Sequence, residues 1–227
     1  MNRGCPRMGS AESILEQNQF ISPCIFVSPY ADTVTQLLKK PTVGQKLVDL
    51  GLFDAPPTDV QVRQLFTRAL FRLNDNLLQK SSSVINRFKN RTSIGLQIRT
   101  GGQLANHKED TIFFSLDKMY RVYSILDTLL EGIHEEVVIF LATDSKEIYQ
   151  LLSSKYHLPI IMASYYSVGH SADLRGYGNI DYINRAVIDL QVLSNCDYLL
   201  TTFTSSFGNT ASYLSHSLNK IIMNYKD

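Results

Sequence analysis

With 227 residues, 44% of them apolar, the chain is long enough for one large domain or one and a half, and for a real core. Its 22 basic and 21 acidic residues leave a formal net charge of +1, which argues against a nucleic-acid partner recognised mainly by electrostatics. Cys5, Cys24 and Cys196 show no paired metal spacing and argue against a disulfide scaffold. No run reaches the ~20 apolar residues needed to span a bilayer.

Residues 1–20 are polar and lack the apolar stretch of a signal peptide. The expectation is a cytosolic protein or a chain that lacks the start of a longer one. Phe20-Ile21 and Cys24 to Val27 form a short apolar run broken by Pro23 and Pro29. Thr33 to Leu52 reads as helical pieces interrupted by Pro41 and Gly44. After the break at Asp54-Ala55-Pro56-Pro57, one long helix is predicted from Thr58 to Phe88, capped by Thr58 or Asp59. Asn90-Arg91-Thr92 matches a glycosylation triplet, which matters only in a secretory lumen.

From Ser93 the pattern becomes regular. In Ser93 to Gly102, Ile94, Leu96 and Ile98 alternate with Gly95, Gln97 and Arg99, which predicts a strand running into the turn Thr100-Gly101-Gly102. A helix is expected over Ser115 to Gly132, with Ser115 as cap and Gly132 as stop. Val137 to Ala142 is a continuous apolar run, as suits a strand covered on both faces. The helix Lys146 to Tyr156 and the strand Ile160 to Ala163 follow. A polar stretch, Ser164 to Ile180, carries Gly169, Gly176 and Gly178. The helix Asp181 to Asn195, the strand Tyr198 to Thr202, a helix from Thr204-Ser205 to Leu218 and the strand Lys220 to Met223 complete the chain.

Strands alternating with helices predict an α/β fold with a Rossmann-like parallel sheet, its strands in the order 3-2-1-4-5. The expected organisation is a mainly helical segment, residues 1–92, followed by a nucleotide-binding domain, residues 93–227. In that order the first and fourth strands are neighbours, and the crevice at their carboxyl ends is the topological switch point. Arg99 stands at the end of one strand, and its guanidinium offers a rigid fork of donors to a phosphate. The hydroxyl-rich turn Thr204-Ser205-Ser206-Phe207-Gly208 follows the other and opens a helix, whose free amides and dipole favour an anion. Simpler alternatives are a strand-end arginine paired with a surface carboxylate, and ordinary helix capping by Thr204 or Ser205. Together the two turns favour a sugar-nucleotide or other nucleotide site.

The dinucleotide fingerprint, the NTPase phosphate loop and the serine-hydrolase elbow are all absent. His107, His134, His157, His170 and His216 lack metal spacing, and no D-x-D pair is present to hold a divalent ion.

Gly95-Leu96-Gln97-Ile98-Arg99, Ala142-Thr143-Asp144-Ser145 and the stretch from Asp189 through Asp197 to Ser205-Ser206-Phe207-Gly208 resemble the fucosyltransferase superfamily. That superfamily holds α1,2-, α1,6- and protein O-fucosyltransferases, and the nearest look is to plant xyloglucan fucosyltransferases. The resemblance runs from about Ile94 to Met223. It implies the nucleotide-binding lobe of a GT-B glycosyltransferase that uses GDP-fucose, inverts the anomeric centre and needs no metal or other cofactor. It further implies a glycan or glycoprotein acceptor and a place in the Golgi or secretory pathway. By the same resemblance, Arg99 contacts the donor diphosphate and stabilises the leaving group, with Thr100 and Gly101 beside it. Thr204, Ser205, Ser206, Phe207 and Gly208 form the phosphate-holding turn. Asp144 is a polar position near the donor, and Asp189 contacts the donor or orients Arg99. Two departures stand out. Many members carry Arg-Arg-x-Asp where this chain has Arg99-Thr100-Gly101, and residues 1–92 are short for an acceptor lobe. A non-catalytic sugar-nucleotide-binding domain is therefore the alternative. His107, Glu109 and Asp110 are candidates for a general base, with a solvated loop as the plainer role.

Overall fold

The computed structural model of the chain describes residues 40–70, 72–104, 107–112, 114–163, 180–202, 205–215 and 219–223. The apolar run at Phe20 to Val27, the glycine-bearing stretch after Ala163, and Phe203 and Thr204 lie outside the described residues. The chain divides into two compact units, residues 1–69 and 70–227.

In the first unit, helix α1 spans Pro41–Asp49. Pro41 begins this helix rather than interrupting it, because its missing amide hydrogen is not needed in a first turn. Helix α2 spans Asp59–Leu70. Its start is a reciprocal cap: the Thr58 amide donates to Gln61 Oε1 at 2.9 Å, and the Gln61 amide donates to Thr58 Oγ1 at 3.3 Å. The single helix expected over Thr58 to Phe88 is instead two helices and a 3-10 turn. Helix α3, Asp75–Ile85, restarts at Asn74, whose side chain accepts from the Leu77 amide at 2.9 Å. A local side-chain acceptor offers the backbone an alternative to continuing the earlier helix. The 3-10 turn Asn86–Phe88 then leads into the sheet. The sequence placed a boundary at residue 92; α3 falls in the same compact unit as the sheet, with Leu77, Val84 and Phe88 in its core.

The second unit is organised on strand β1, Thr92–Ile98. A hairpin follows, β2 Gly101–Leu104 and β3 His107–Ile112, paired antiparallel. Thr100-Gly101-Gly102 is thus the root of a hairpin rather than an isolated turn, and His107, Glu109 and Asp110 lie on a strand rather than in a loop. Helix α4, Met119–Glu131, follows a 3-10 turn at Leu116–Lys118. Ser115 makes no side-chain cap bond, and Gly132 closes α4 with ordinary right-handed backbone. Next come β4 Val137–Thr143, α5 Lys146–Lys155, β5 Ile160–Ile161, α6 Ile180–Ser194, β6 Tyr198–Thr202, α7 Ser206–Leu214 and β7 Asn219–Met223.

The five-stranded sheet has the order β5-β4-β1-β6-β7, and every neighbouring pair is parallel. This is the 3-2-1-4-5 order expected from the strand–helix alternation. Ile94, Leu96, Ile98, Ile139 and Leu141 form one core with Val122 and Leu126 of α4 and Ile148 and Leu152 of α5. Val138, Phe140 and Ala142 form the other core, with α3, α6 and α7. Period-two alternation along β1 and β4 distributes the side chains between these faces. The helices that follow β1 and β6 therefore cover opposite faces, which creates a switch point between those two strands.

Candidate functional site

The site is built where β1 and β6 part. Their pairing reaches Gln97 opposite Thr201. Beyond it, side chains take over from the ladder. The buried Gln97 side chain accepts from the Thr202 amide at 3.1 Å, and Thr202 Oγ1 donates to the Gln97 carbonyl at 3.1 Å. The Arg99 amide then donates to Thr202 Oγ1 at 3.0 Å. Arg99, half-buried, is thereby held at the carboxyl end of β1.

The next two residues are fixed from β4. Asp144, just past that strand, accepts from the Thr100 amide and from Thr100 Oγ1, both at 2.8 Å. Its other oxygen accepts from the Gly101 amide at 3.0 Å. Gly101 has φ +74°, a left-handed conformation in which a side chain is strained. The hairpin β2–β3 leaves from this turn and returns beside it, where the Phe114 amide donates to the Thr100 carbonyl at 3.5 Å. Phe114 itself is buried in the core beneath α4.

Opposite lies the amino end of α7. Ser205, buried, caps this helix: its hydroxyl accepts from the Gly208 amide at 3.3 Å. The capping alternative is thus what Ser205 does. Ser206 is exposed and Phe207 half-buried against the core. They are the first two residues of α7, whose amides have no acceptor within the helix itself. Gly208 lets α7 lie directly on the strands, since a Cβ there would stand 2.6 Å from Gln97 Oε1 and 2.8 Å from Thr201 Cβ. Of the residues expected at the site, Arg99, Thr100, Gly101 and Asp144 are joined by this network. Ser205, Ser206, Phe207 and Gly208 stand across the switch point, and Thr204 lies outside the described residues.

Asp189 behaves differently. Its carboxylate accepts from Arg185 Nε at 2.9 and 3.0 Å, one turn earlier on α6, and both side chains are buried. Burial pushes the Asp189 carboxyl up to about 7, against the opposing pull of Arg185. The folded chain therefore holds more protons than the unfolded chain between the ordinary value of 3.8 and about 7. The stability from this group is present below that window and lost as the pH rises through it. Urea midpoints taken across that pH range should fall with pH, and Asp189→Asn should flatten the fall. A wild-type slope in the variant would assign the pH dependence to another group.

Gln97 and Thr202 entered the sequence reading only inside longer stretches, Gly95 to Arg99 and the turn Thr202 to Gly208, and Arg185 was not singled out. The i,i+4 spacing of Arg185 and Asp189 was a usable signal, whereas the bonds of Gln97 cross to a strand more than a hundred residues away. His134 and His157 are exposed before the amino ends of β4 and β5, away from the site; His170 and His216 lie outside the described residues. Among the described residues no group of three or more His, Cys, Asp or Glu side chains could hold a metal ion, and no helix is long and apolar enough to cross a membrane.

No protein-family model and no curated protein matches the chain. Among solved structures it is similar to the NodZ alpha-1,6-fucosyltransferase co-crystallized with GDP, with TM-score 0.44 and 17% identity, over 63% of this chain and 43% of that one. A structure of fucosyltransferase NodZ from Bradyrhizobium gives 0.47 and 14%, over 83% and 61%. POFUT1 in complex with GDP-fucose gives 0.46 and 10%, over 77% and 51%. The chain thus spans about half the length of these solved chains.

Proposed function

We propose that this chain binds GDP-fucose at the carboxyl ends of β1 and β6 and serves as the donor lobe of a metal-independent GT-B fucosyltransferase. The single observation that carries the reading is the pairing across the switch point. A backbone-fixed Arg99 stands on one side, and the Ser206 and Phe207 amides of a capped helix stand on the other. The sequence motifs around Arg99, Asp144 and Ser205 supply the fucosyltransferase part of the reading.

Breaking a sugar–phosphate bond leaves a diphosphate with growing negative charge. A guanidinium and aligned amides stabilise that charge more in the transition state than in the substrate, which is how they accelerate transfer. Without a D-x-D pair, these donors take the place that a divalent ion holds in other glycosyltransferases. Inversion needs a glycan or glycoprotein hydroxyl to attack from the far side, with a base to accept its proton. His107, Glu109 and Asp110, on a hairpin rooted at the site, are the candidates for that base. Work in the Golgi or secretory pathway belongs to the same proposal.

A second reading is nucleotide binding without transfer. Calorimetric titration with GDP and GDP-fucose, with and without a chelator, tests the proposal. Equal affinity in both conditions is expected, and a strict requirement for manganese would reject it. Fucose release to acceptor hydroxyls separates transfer from binding alone.

A further inference from the structure

We propose that Asp144 is a positioning residue for Arg99 and does not itself touch the donor; this rests on the nucleotide reading above. Among the described residues the carboxylate accepts three hydrogen bonds, and all three come from one turn: the Thr100 amide, the Thr100 hydroxyl and the Gly101 amide. Both of its oxygens are engaged there. Arg99 immediately precedes that turn, and its own amide is bonded to Thr202 Oγ1. The backbone that carries the guanidinium is thus fixed on its amino side from β6 and on its carboxyl side from β4. Three strands, β4, β1 and β6, converge on one arginine.

Charge points the same way. A carboxylate beside a diphosphate repels it, so direct contact with the phosphates would oppose binding. Accepting from amides instead anchors the left-handed Gly101, which turns the chain away into β2 and leaves Arg99 at the strand end. Hydrogen bonds from neutral donors to a charged acceptor are among the stronger ones. A group held in this way transmits its effect through Arg99 geometry, and the effect should vanish when the Arg99 side chain is absent.

The test is a double-mutant cycle on GDP affinity, with wild type, Asp144→Asn, Arg99→Ala and the double variant. Asp144→Asn keeps the size but sets an amide donor against one of the backbone amides. It is expected to weaken GDP binding by about tenfold. In the Arg99→Ala background, the same change should alter affinity less than about twofold. A second tenfold loss there would make Asp144 a direct donor contact and overturn the proposal, as would wild-type affinity in Asp144→Asn. If Arg99→Ala itself leaves GDP affinity unchanged, Arg99 is not the phosphate anchor and the positioning proposal falls with it, whereas absence of GDP binding by the wild type would sink the nucleotide reading.

The clamp has a readout that needs no ligand. Amide hydrogen exchange at Thr100 and Gly101 should quicken by about tenfold in Asp144→Asn, while the amides of β4 keep their protection. Unchanged exchange at both positions would overturn the clamp whatever GDP does. Thr100→Val removes only one of the three bonds, and is expected to move exchange and GDP affinity in the same direction by a smaller factor. It also serves as the readout should Asp144→Asn fold poorly.

Discussion

Replacing Arg99 with alanine is expected to weaken GDP binding by about ten- to a hundredfold while leaving the melting temperature near that of the wild type. The size follows from one or two charge-assisted hydrogen bonds, each contributing roughly 1.5–3 kcal/mol, at about 1.4 kcal/mol per tenfold. The unchanged stability follows from where Arg99 stands. It lies beyond the last paired residue of β1, and its backbone amide, which alanine retains, is bonded to Thr202 Oγ1. Arg99→Lys keeps the charge but loses the planar fork, so its affinity should fall between the two. Calorimetry with GDP and a thermal melt on the same samples decide the point. An alanine variant with wild-type GDP affinity would end the assignment of Arg99 as phosphate anchor. A strand-end arginine of purely structural use would show the opposite pattern, a lower melting temperature with GDP affinity intact.

Gly208→Ala is expected to cause the largest loss of stability of the substitutions considered. The new methyl would stand 2.6 Å from Gln97 Oε1 and 2.8 Å from Thr201 Cβ, closer than carbon atoms tolerate. Neither neighbour can yield cheaply. Thr201 is a buried residue of β6 paired to β1 and β7, and Gln97 Oε1 is the acceptor for the Thr202 amide. Over-packing typically costs about 1–3 kcal/mol, and a buried amide stripped of its acceptor costs roughly 1–3 kcal/mol more. A fall of about 2–6 kcal/mol is therefore expected, read as a shift of the urea midpoint. The same methyl pushes the first turn of α7 away from β1, so GDP affinity should fall in whatever fraction remains folded. A midpoint within about 0.5 kcal/mol of the wild type would show that α7 shifts freely on the sheet, contrary to its tight seating.

The sheet was legible because its strands announce themselves. Val137 to Ala142 is apolar without a break, as burial on both faces demands, and β6 was placed with the bounds it has. Strand order then followed from chain topology rather than from any residue. The hairpin was not legible. Gly101, Gly102, Lys108, Glu109 and Asp110 lack the alternation of a half-buried strand, and a small ribbon held together by its own backbone leaves no apolar signature. The division at Asn74 was hidden for the opposite reason: Leu70, Leu73 and Leu77 continue a helical spacing through the break, and a single capping side chain decided the matter. Within the site, the strand-end arginine and the helix-opening turn could be placed from topology. What Asp144 does could not, because its three partners lie more than forty residues away in sequence. Asp189 was noted without Arg185, although the two stand one helical turn apart on the same helix.

The hairpin after Arg99 starts at Gly101 and ends at Ile112, residues that pair directly with each other. Its two ends are therefore already joined before any of its length is counted. Closing a longer ribbon over the same root adds only about 0.6 kcal/mol for each doubling. Residues between those two positions are therefore expected to tolerate exchange and lengthening without change to the sheet, which a thermal melt of a lengthened variant would check. A scaffold of this kind separates the parallel sheet and its strand-end turn from a ribbon whose length the sheet does not set.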